Sequence, residues 1–140
     1  MSFKSGDIPF FKEYLFTDSG KTAKHFALVL LPEDSTRFSN SLLCCVITSK
    51  QPKRWWFLLR KSKYNFFDRD SFICFNRKDL VSKSGLADGP QPRGKLDIPD
   101  FREVFKDLKK SLFVIKDLAN DPYLRGTIIY EWKAILKNLP

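Results

Sequence analysis

The sequence predicts a mainly β fold of the α+β class, in which a small barrel or strongly bent sheet of five or six strands precedes two α-helices. Short apolar runs separated by turn residues occupy residues 1–82, a spacing typical of small barrels. Apolar residues at helical spacing then fill residues 99–140. With 140 residues, of which 43% are hydrophobic and 15% aromatic, the chain is long enough to bury a core as a single domain.

The strands are predicted in order along the chain. Residues 8–16 are aromatic-rich and contain Pro9, which is tolerated only at an edge or at a strand start. Residues 26–31 and 42–47 are continuous apolar runs that suit strands buried on both faces. Shorter strands are predicted at 55–59 and 71–75. Because side chains alternate along a strand, we expect Cys44 and Cys45 to be buried on opposite faces.

The composition changes after residue 82. Residues 83–98 are rich in Gly, Pro and charged residues and predict a linker. Residues 99–140 predict two packed helices, with Pro99 in the first turn of one and Asn120-Asp121-Pro122 capping the other. Burial explains most apolar helix stripes, so both are expected to pack on the barrel. The stripes are Phe101, Val104, Phe105, Leu108, Leu112 and Ile115 in the first helix and Ile128, Ile129, Trp132, Ile135, Leu136 and Leu139 in the second.

Charge and cysteine content narrow the classes of function. The formal net charge is +9, which favours an anionic partner such as nucleic acid; a basic surface that serves solubility alone is the alternative. One histidine and three cysteines without a C-x-x-C pair are too few for a zinc site, so we expect no metal and no cofactor. We find no secretory signal and no membrane-spanning stretch, and therefore expect a cytoplasmic protein without membrane contact.

Residues 50–63 combine cations with aromatic rings. This segment contains six basic residues and no acidic one, beside Trp55 and Trp56. Cations along a phosphate backbone and flat aromatic faces suit single-stranded nucleic acid. We predict that Lys50, Lys53 and Arg54 contact it, with a solvated basic hairpin as the alternative.

Three motifs in a fixed order resemble the PemK/MazF family. They are Gly6-Asp7-Ile8, the run from Lys21 through Lys24 and His25 to Leu30, and Val46-Ile47-Thr48-Ser49 at a strand end. Members of that family are toxins of toxin–antitoxin systems, endoribonucleases built on an SH3-like barrel. They show Gly-Asp-Ile/Val, then Lys-x-Arg-Pro-Ala-Leu-Val-Leu, then an apolar strand ending in Ile-Thr-Ser. The similarity is clear over residues 5–59, fainter to residue 81 and absent from the last helix.

The resemblance implies roles for individual residues. Thr48 falls on the family's catalytic threonine and His25 on its catalytic arginine, while Phe26 replaces the proline that normally follows. RNA cleavage by a 2′-hydroxyl needs a proton acceptor and later a donor, and an imidazole with a pKa of about 6.5 suits both. Catalytic residues are predicted at His25, Thr48 and Ser49, and substrate-binding residues at Lys24, Lys50, Lys53, Arg54 and Arg77.

The expected geometry of the site follows from the two buried apolar runs at residues 26–31 and 42–47. If these runs form neighbouring antiparallel strands, His25 and Thr48 meet at one end of the barrel. Lys24 and Lys50 would stabilise charge on the phosphate, although strand alternation favours the opposite face for Lys24. Asp79 and Arg93 are interpreted only as surface charges. The resemblance further implies single-stranded RNA as substrate, an antitoxin as partner and a homodimer.

Two alternatives stay open at the level of the sequence. The first is a catalytically degenerate SH3-like barrel that binds nucleic acid without cutting it, and the histidine at position 25 is its best support. The second is a protein-interaction module that uses the aromatic N-terminal strand and the two helices as a binding face.

Overall fold

The structure, a computed structural model, describes residues 3–17, 19–31, 40–50, 57–75, 77–112 and 121–139. The strands are β1 (Asp7–Ile8), β2 (Phe10–Leu15), β3 (Thr22–Val29), β4 (Ser41–Thr48), β5 (Phe57–Leu59), β6 (Ser71–Ile73), β7 (Asp79–Ser82) and β8 (Gly94–Lys95). The helices are α1 (Ile98–Ser111) and α2 (Pro122–Lys137). The prediction of a mainly β fold with two C-terminal helices is confirmed.

The main sheet is antiparallel and has β3 and β4 at its centre. Its strand order is β2-β3-β4-β6-β5, and β7 pairs with the N-terminal half of β4 while β6 pairs with its C-terminal end. An isolated bridge joins Phe11 in β2 to Leu86, just beyond β7. The predicted strand over 8–16 is divided into β1 and β2 at Pro9, which has no amide hydrogen to donate.

Strand β7 has no counterpart among the predicted strands. It contains only four residues and begins with an aspartate, so its apolar pattern is too short to read from the sequence. The predicted linker over 83–98 likewise contains regular structure, because β8 pairs with β1 and a short 3₁₀ helix spans Lys83–Gly85. Of the strand predicted at 55–59, residues 55 and 56 lie outside the described residues.

Apolar side chains pack on both faces of β3 and β4. Leu28 and Cys45 belong to the larger cluster, which includes the buried faces of α1 and α2. Cys44 lies in the other cluster and is buried, so the opposite orientation expected for the two cysteines is confirmed. We call this second group the strand-side cluster; it consists of Phe3, Phe11, Tyr14, Ala27, Val29, Leu42, Cys44, Val46, Cys74, Val81 and Leu86.

Both helices pack on the sheet as their stripes predict. Asp97 caps α1, with Pro99 in its first turn, and Asp121 caps α2. Trp132 is fully buried and lies 4.3 Å from Phe101 between ring centroids. Ile115 and Asn120, which belong to the predicted pattern, lie outside the described residues. Within the described ranges, neither helix is long and apolar enough to cross a bilayer.

Candidate functional site

The pairing of β3 with β4 brings the predicted imidazole and hydroxyl together. Phe26 pairs with Ile47 and Ala27 with Val46, so the same antiparallel register places His25 opposite Thr48. By alternation, His25 lies on the same face as Ala27, and Thr48 on the same face as Val46. Both side chains therefore extend from the edge of the strand-side cluster.

A cavity of about 240 Å³ opens at this edge. Its lining combines imidazole, hydroxyl, ammonium and guanidinium groups with apolar side chains. His25 and Thr48 are half-buried there, so they are shielded from bulk water without being sealed beneath the core. The lining residues are Phe16, His25, Val46, Thr48, Lys50, Cys74 and Arg77.

A hydrogen bond to the backbone helps to orient the His25 ring. Its Nδ1 lies 3.3 Å from the carbonyl oxygen of Ile47, so the neutral tautomer with a proton on Nδ1 donates this hydrogen bond. Nε2 then carries the lone pair that accepts a proton. Burial lowers the pKa of His25 and the positive charge of Lys50 lowers it further, while the hydrogen bond to Ile47 opposes both. The imidazole is therefore neutral at pH 7, as a general base requires.

The Thr48 hydroxyl is held by the turn that follows β4. Its Oγ1 accepts a hydrogen bond from the backbone amide of Lys50 at 3.2 Å. A hydroxyl has one proton of its own to donate, so this contact leaves it able to donate to a phosphate oxygen. Lys50 also lines the cavity and adds positive charge beside the pair.

Arg77 enters the cavity from the segment that precedes β7. Its guanidinium carbon lies 4.8 Å from the centroid of the Phe16 ring, a cation–π contact, and its Nε lies 3.5 Å from Oδ2 of Asp79. Phe16 also meets His25 edge-to-face, with ring centroids 5.5 Å apart. One aromatic ring therefore contacts both the guanidinium and the imidazole.

The interpretation of Asp79 as a surface charge is wrong. Only 2% of this residue is exposed, and its carboxylate accepts hydrogen bonds from the Tyr14 hydroxyl at 2.7 Å and from the Thr17 amide at 3.0 Å. Those donors, together with Arg77, compensate a charge that would otherwise be costly to bury. Arg93, in contrast, is a partly exposed residue paired with Asp88, as its interpretation as a surface charge predicts.

Two predicted site residues lie away from the cavity lining. Ser49 and Lys24 are exposed and are not among the residues that line the cavity. Alternation along β3 places Lys24 on the face opposite His25. Lys53 and Arg54 fall outside the described residues, as do Trp55 and Trp56.

Cys74 lines the cavity as a neutral thiol. It is buried, and burial raises its pKa to about 12, with a lowering influence from Arg77 and a raising one from Asp79. At neutral pH the thiolate population is negligible, so Cys74 contributes an apolar wall rather than a nucleophile.

A larger cavity, of about 620 Å³, lies between the β1–β8 pair and the helices. Its walls are mostly apolar and include Leu96, Phe101, Ile135 and Leu139. Because the chain has one histidine, which lines the smaller cavity, we assign the candidate chemistry to the smaller one. Among the residues that the structure describes, no group of three His, Cys, Asp or Glu side chains is placed to hold a metal ion.

Replacing Tyr14 with phenylalanine is expected to lower the free energy of unfolding by about 1.5–3 kcal/mol, the usual contribution of a hydrogen bond to a charged group. The change removes one donor from the buried Asp79 carboxylate. Urea denaturation followed by far-UV circular dichroism measures it. Tyr130→Phe is the matched control, because Tyr130 is 71% exposed and its change is expected to stay within about 0.5 kcal/mol. Equal effects at both positions would contradict the role of the Tyr14–Asp79 bond.

Comparison with known proteins found no match to the sequence, either among family models or among curated proteins.

Proposed function

We propose that this protein is an endoribonuclease that cleaves single-stranded RNA without a metal ion, by attack of a ribose 2′-hydroxyl on the adjacent phosphorus. The observation that carries the proposal is the meeting of His25 and Thr48 across β3 and β4 in one cavity, beside the ammonium of Lys50. A base, a hydrogen-bond donor and a cation are the groups that this transesterification needs.

The proposed reaction assigns a step to each group. Nε2 of His25 takes the proton of the 2′-hydroxyl as the 2′-oxygen forms a bond to phosphorus. The bond from phosphorus to the 5′-oxygen breaks, and the leaving oxygen takes a proton from water. Thr48 donates a hydrogen bond to a non-bridging oxygen, and Lys50 offsets the charge that develops there. The products are a 2′,3′-cyclic phosphate and a 5′-hydroxyl.

We propose an SH3-like barrel as the finer description of the fold. The circuit of pairings supports it: β4 pairs with β3, β3 with β2, β2 meets Leu86 through a bridge, and β7, which precedes Leu86, returns to β4. A sheet that bends back on its own first strands in this way is typical of small barrels.

The biological role is proposed from the motifs that resemble PemK/MazF proteins. In this role the protein is a toxin, acts as a homodimer and is held inactive by an antitoxin. Growth arrest on induced expression, absent for a cleavage-deficient variant, is the result expected of a toxin. Normal growth with full RNase activity would contradict this role and leave the nuclease proposal intact.

The nuclease proposal is tested on a 5′-labelled pool of random-sequence, single-stranded RNA in the presence of EDTA. We expect fragments that end in 2′,3′-cyclic phosphate, identified by mass spectrometry. The matched control is the same pool with 2′-deoxyribose throughout, which we expect to stay intact because it lacks the attacking hydroxyl. RNA that is bound yet uncut would overturn the nuclease in favour of a nucleic-acid-binding domain, and absence of salt-sensitive binding would favour a protein-interaction module.

A further inference from the structure

We propose that the larger cavity, of about 620 Å³, binds a small amphiphile that has an apolar chain and one anionic head group, such as a fatty acid carboxylate. This cavity is separate from the one that holds His25 and Thr48, because no described residue lines both. The inference therefore does not rest on the proposed ribonuclease function.

The cavity is built from regular elements of the fold. Its residues come from β1, β8, the first turn of α1 and the end of α2. At Gly6 the backbone has a φ of +92° and packs so closely that a Cβ there would lie 2.7 Å from the Phe101 ring. Sites for small molecules have volumes of about 300–1,000 Å³ and are mostly apolar with a few polar groups. The size and the walls of this cavity match that description.

The apolar stripe of α2 extends beyond the part that the core covers. Leu124, Ile128 and Trp132, spaced four residues apart, are buried. Ile135 and Leu139 continue the stripe, yet they are only half-buried and line the cavity. Apolar surface in an open cavity gains free energy when a hydrocarbon chain displaces water from it. The walls therefore suit the apolar chain of the proposed ligand.

Two lysines at the mouth of the cavity favour an anionic head group. Lys4 and Lys95 are exposed and line the cavity, and Lys95 lies opposite Asp7 in the β1–β8 pairing. Burial raises the pKa of Asp7, while the hydrogen bond from the Lys4 amide and the charges of both lysines oppose the rise. Asp97, the other acid of the lining, is already paired with Lys63 at 2.6 Å. Two lysines against one remaining acid leave the mouth positive.

The probe is decanoate, kept below the concentration at which it forms micelles, and its binding to the protein is measured by isothermal titration calorimetry. We expect one saturable site. Hexanoate is four methylenes shorter and should bind about 10²-fold more weakly, because each buried methylene raises affinity about fourfold. Decanol has a chain of the same length without the charge, and decyltrimethylammonium has the opposite charge, so both should bind more weakly than decanoate.

Charge variants test the mouth of the cavity. Lys4→Gln and Lys95→Gln should each weaken decanoate binding by about two- to fivefold, the usual contribution of one exposed charge interaction. Asp7→Asn should tighten binding by a similar factor, because it removes a negative charge and keeps an oxygen that accepts from the Lys4 amide. Lys12→Gln is the matched control, since Lys12 is exposed and is not among the lining residues.

Cavity-filling variants test the walls. Ile135→Trp should weaken decanoate binding by at least about 10-fold, because the larger side chain occupies the space for the hydrocarbon chain. Leu139→Trp lies beyond the end of α2 and serves as the second variant if Ile135→Trp lowers the melting temperature. Tyr130→Trp, on the exposed face of the same helix, should bind decanoate as the wild type does.

Four results would overturn the proposal. The first is the absence of saturable decanoate binding, and the second is binding that both cavity-filling variants leave unchanged. The third is equal or tighter binding of decanol or decyltrimethylammonium, or an equal effect of Lys12→Gln and the two variants at the mouth, since either would contradict an anionic head group held by Lys4 and Lys95. The fourth is binding to phosphatidylglycerol vesicles, weakened by the same variants, in a protein that does not bind decanoate, which would replace the free ligand with a membrane surface.

Discussion

Replacing His25 with alanine is expected to lower the rate of RNA cleavage by about 10²–10⁴-fold, the usual contribution of a positioned general base. The variant removes the Nε2 atom that accepts the 2′-hydroxyl proton and leaves Thr48, Lys50 and Arg77 in the cavity. Binding of RNA should change little, because the imidazole is neutral at pH 7 and makes no charge contact with phosphate. The measurement is single-turnover cleavage beside a binding isotherm at the same salt concentration.

The pH dependence provides a second readout of the same residue. A general base works in its neutral form, so kcat/KM should fall as the pH drops through the pKa of His25. Burial and Lys50 lower that pKa, so the acidic limb should lie below about 6.5, the unperturbed value for histidine. Activity should accordingly be at its plateau at pH 7, and the acidic limb should disappear from the residual activity of His25→Ala.

Thr22→Ala is the matched control for this variant. Thr22 lies on the same strand as His25 and is exposed, so its loss should leave cleavage unchanged. A His25→Ala variant with wild-type kcat would show that the imidazole takes no part in the mechanism. An acidic limb retained in that variant would assign the titration to another group.

The meeting of His25 and Thr48 could be predicted because it depends on short-range rules. Two apolar runs joined by a polar connection favour antiparallel pairing, and alternation along each strand then decides which side chains share a face. The same rule explains why Lys24, adjacent to His25 in β3, lies away from the cavity.

The environment of Arg77 and Asp79 could not be predicted in this way. Asp79 is buried because Tyr14 and Thr17 donate to it across the sheet, and those contacts join parts of the chain more than 60 positions apart. In the sequence, an aspartate two positions after an arginine has the pattern of an exposed charged turn. Strand β7 adds to the difficulty, since four residues carry too little periodicity to predict a strand.

Replacing Trp132 with alanine is expected to lower the free energy of unfolding by about 3–5 kcal/mol, the largest effect on stability that we predict. The indole is fully buried, stacks on Phe101 and donates from Nε1 to the carbonyl oxygen of Leu30 at 2.7 Å. It thereby fixes α2 to the chain just after β3, the strand that carries His25. Removing it leaves a cavity between α1, α2 and the sheet that the packed surroundings cannot fill. Urea denaturation followed at 222 nm measures the loss.

Two companion variants test how that effect arises. Trp132→Phe keeps an aromatic ring against Phe101 but removes the donor to Leu30 and part of the buried ring volume. The Leu30 carbonyl oxygen still accepts from the Ser5 hydroxyl at 2.9 Å. We therefore expect it to cost less than half as much as alanine. Tyr130→Ala, at an exposed position of the same helix, should change the free energy of unfolding by no more than about 0.5 kcal/mol. If Trp132→Ala were as stable as Tyr130→Ala, the result would contradict the packing of α2 in the core and the hydrogen bond from Trp132 to Leu30.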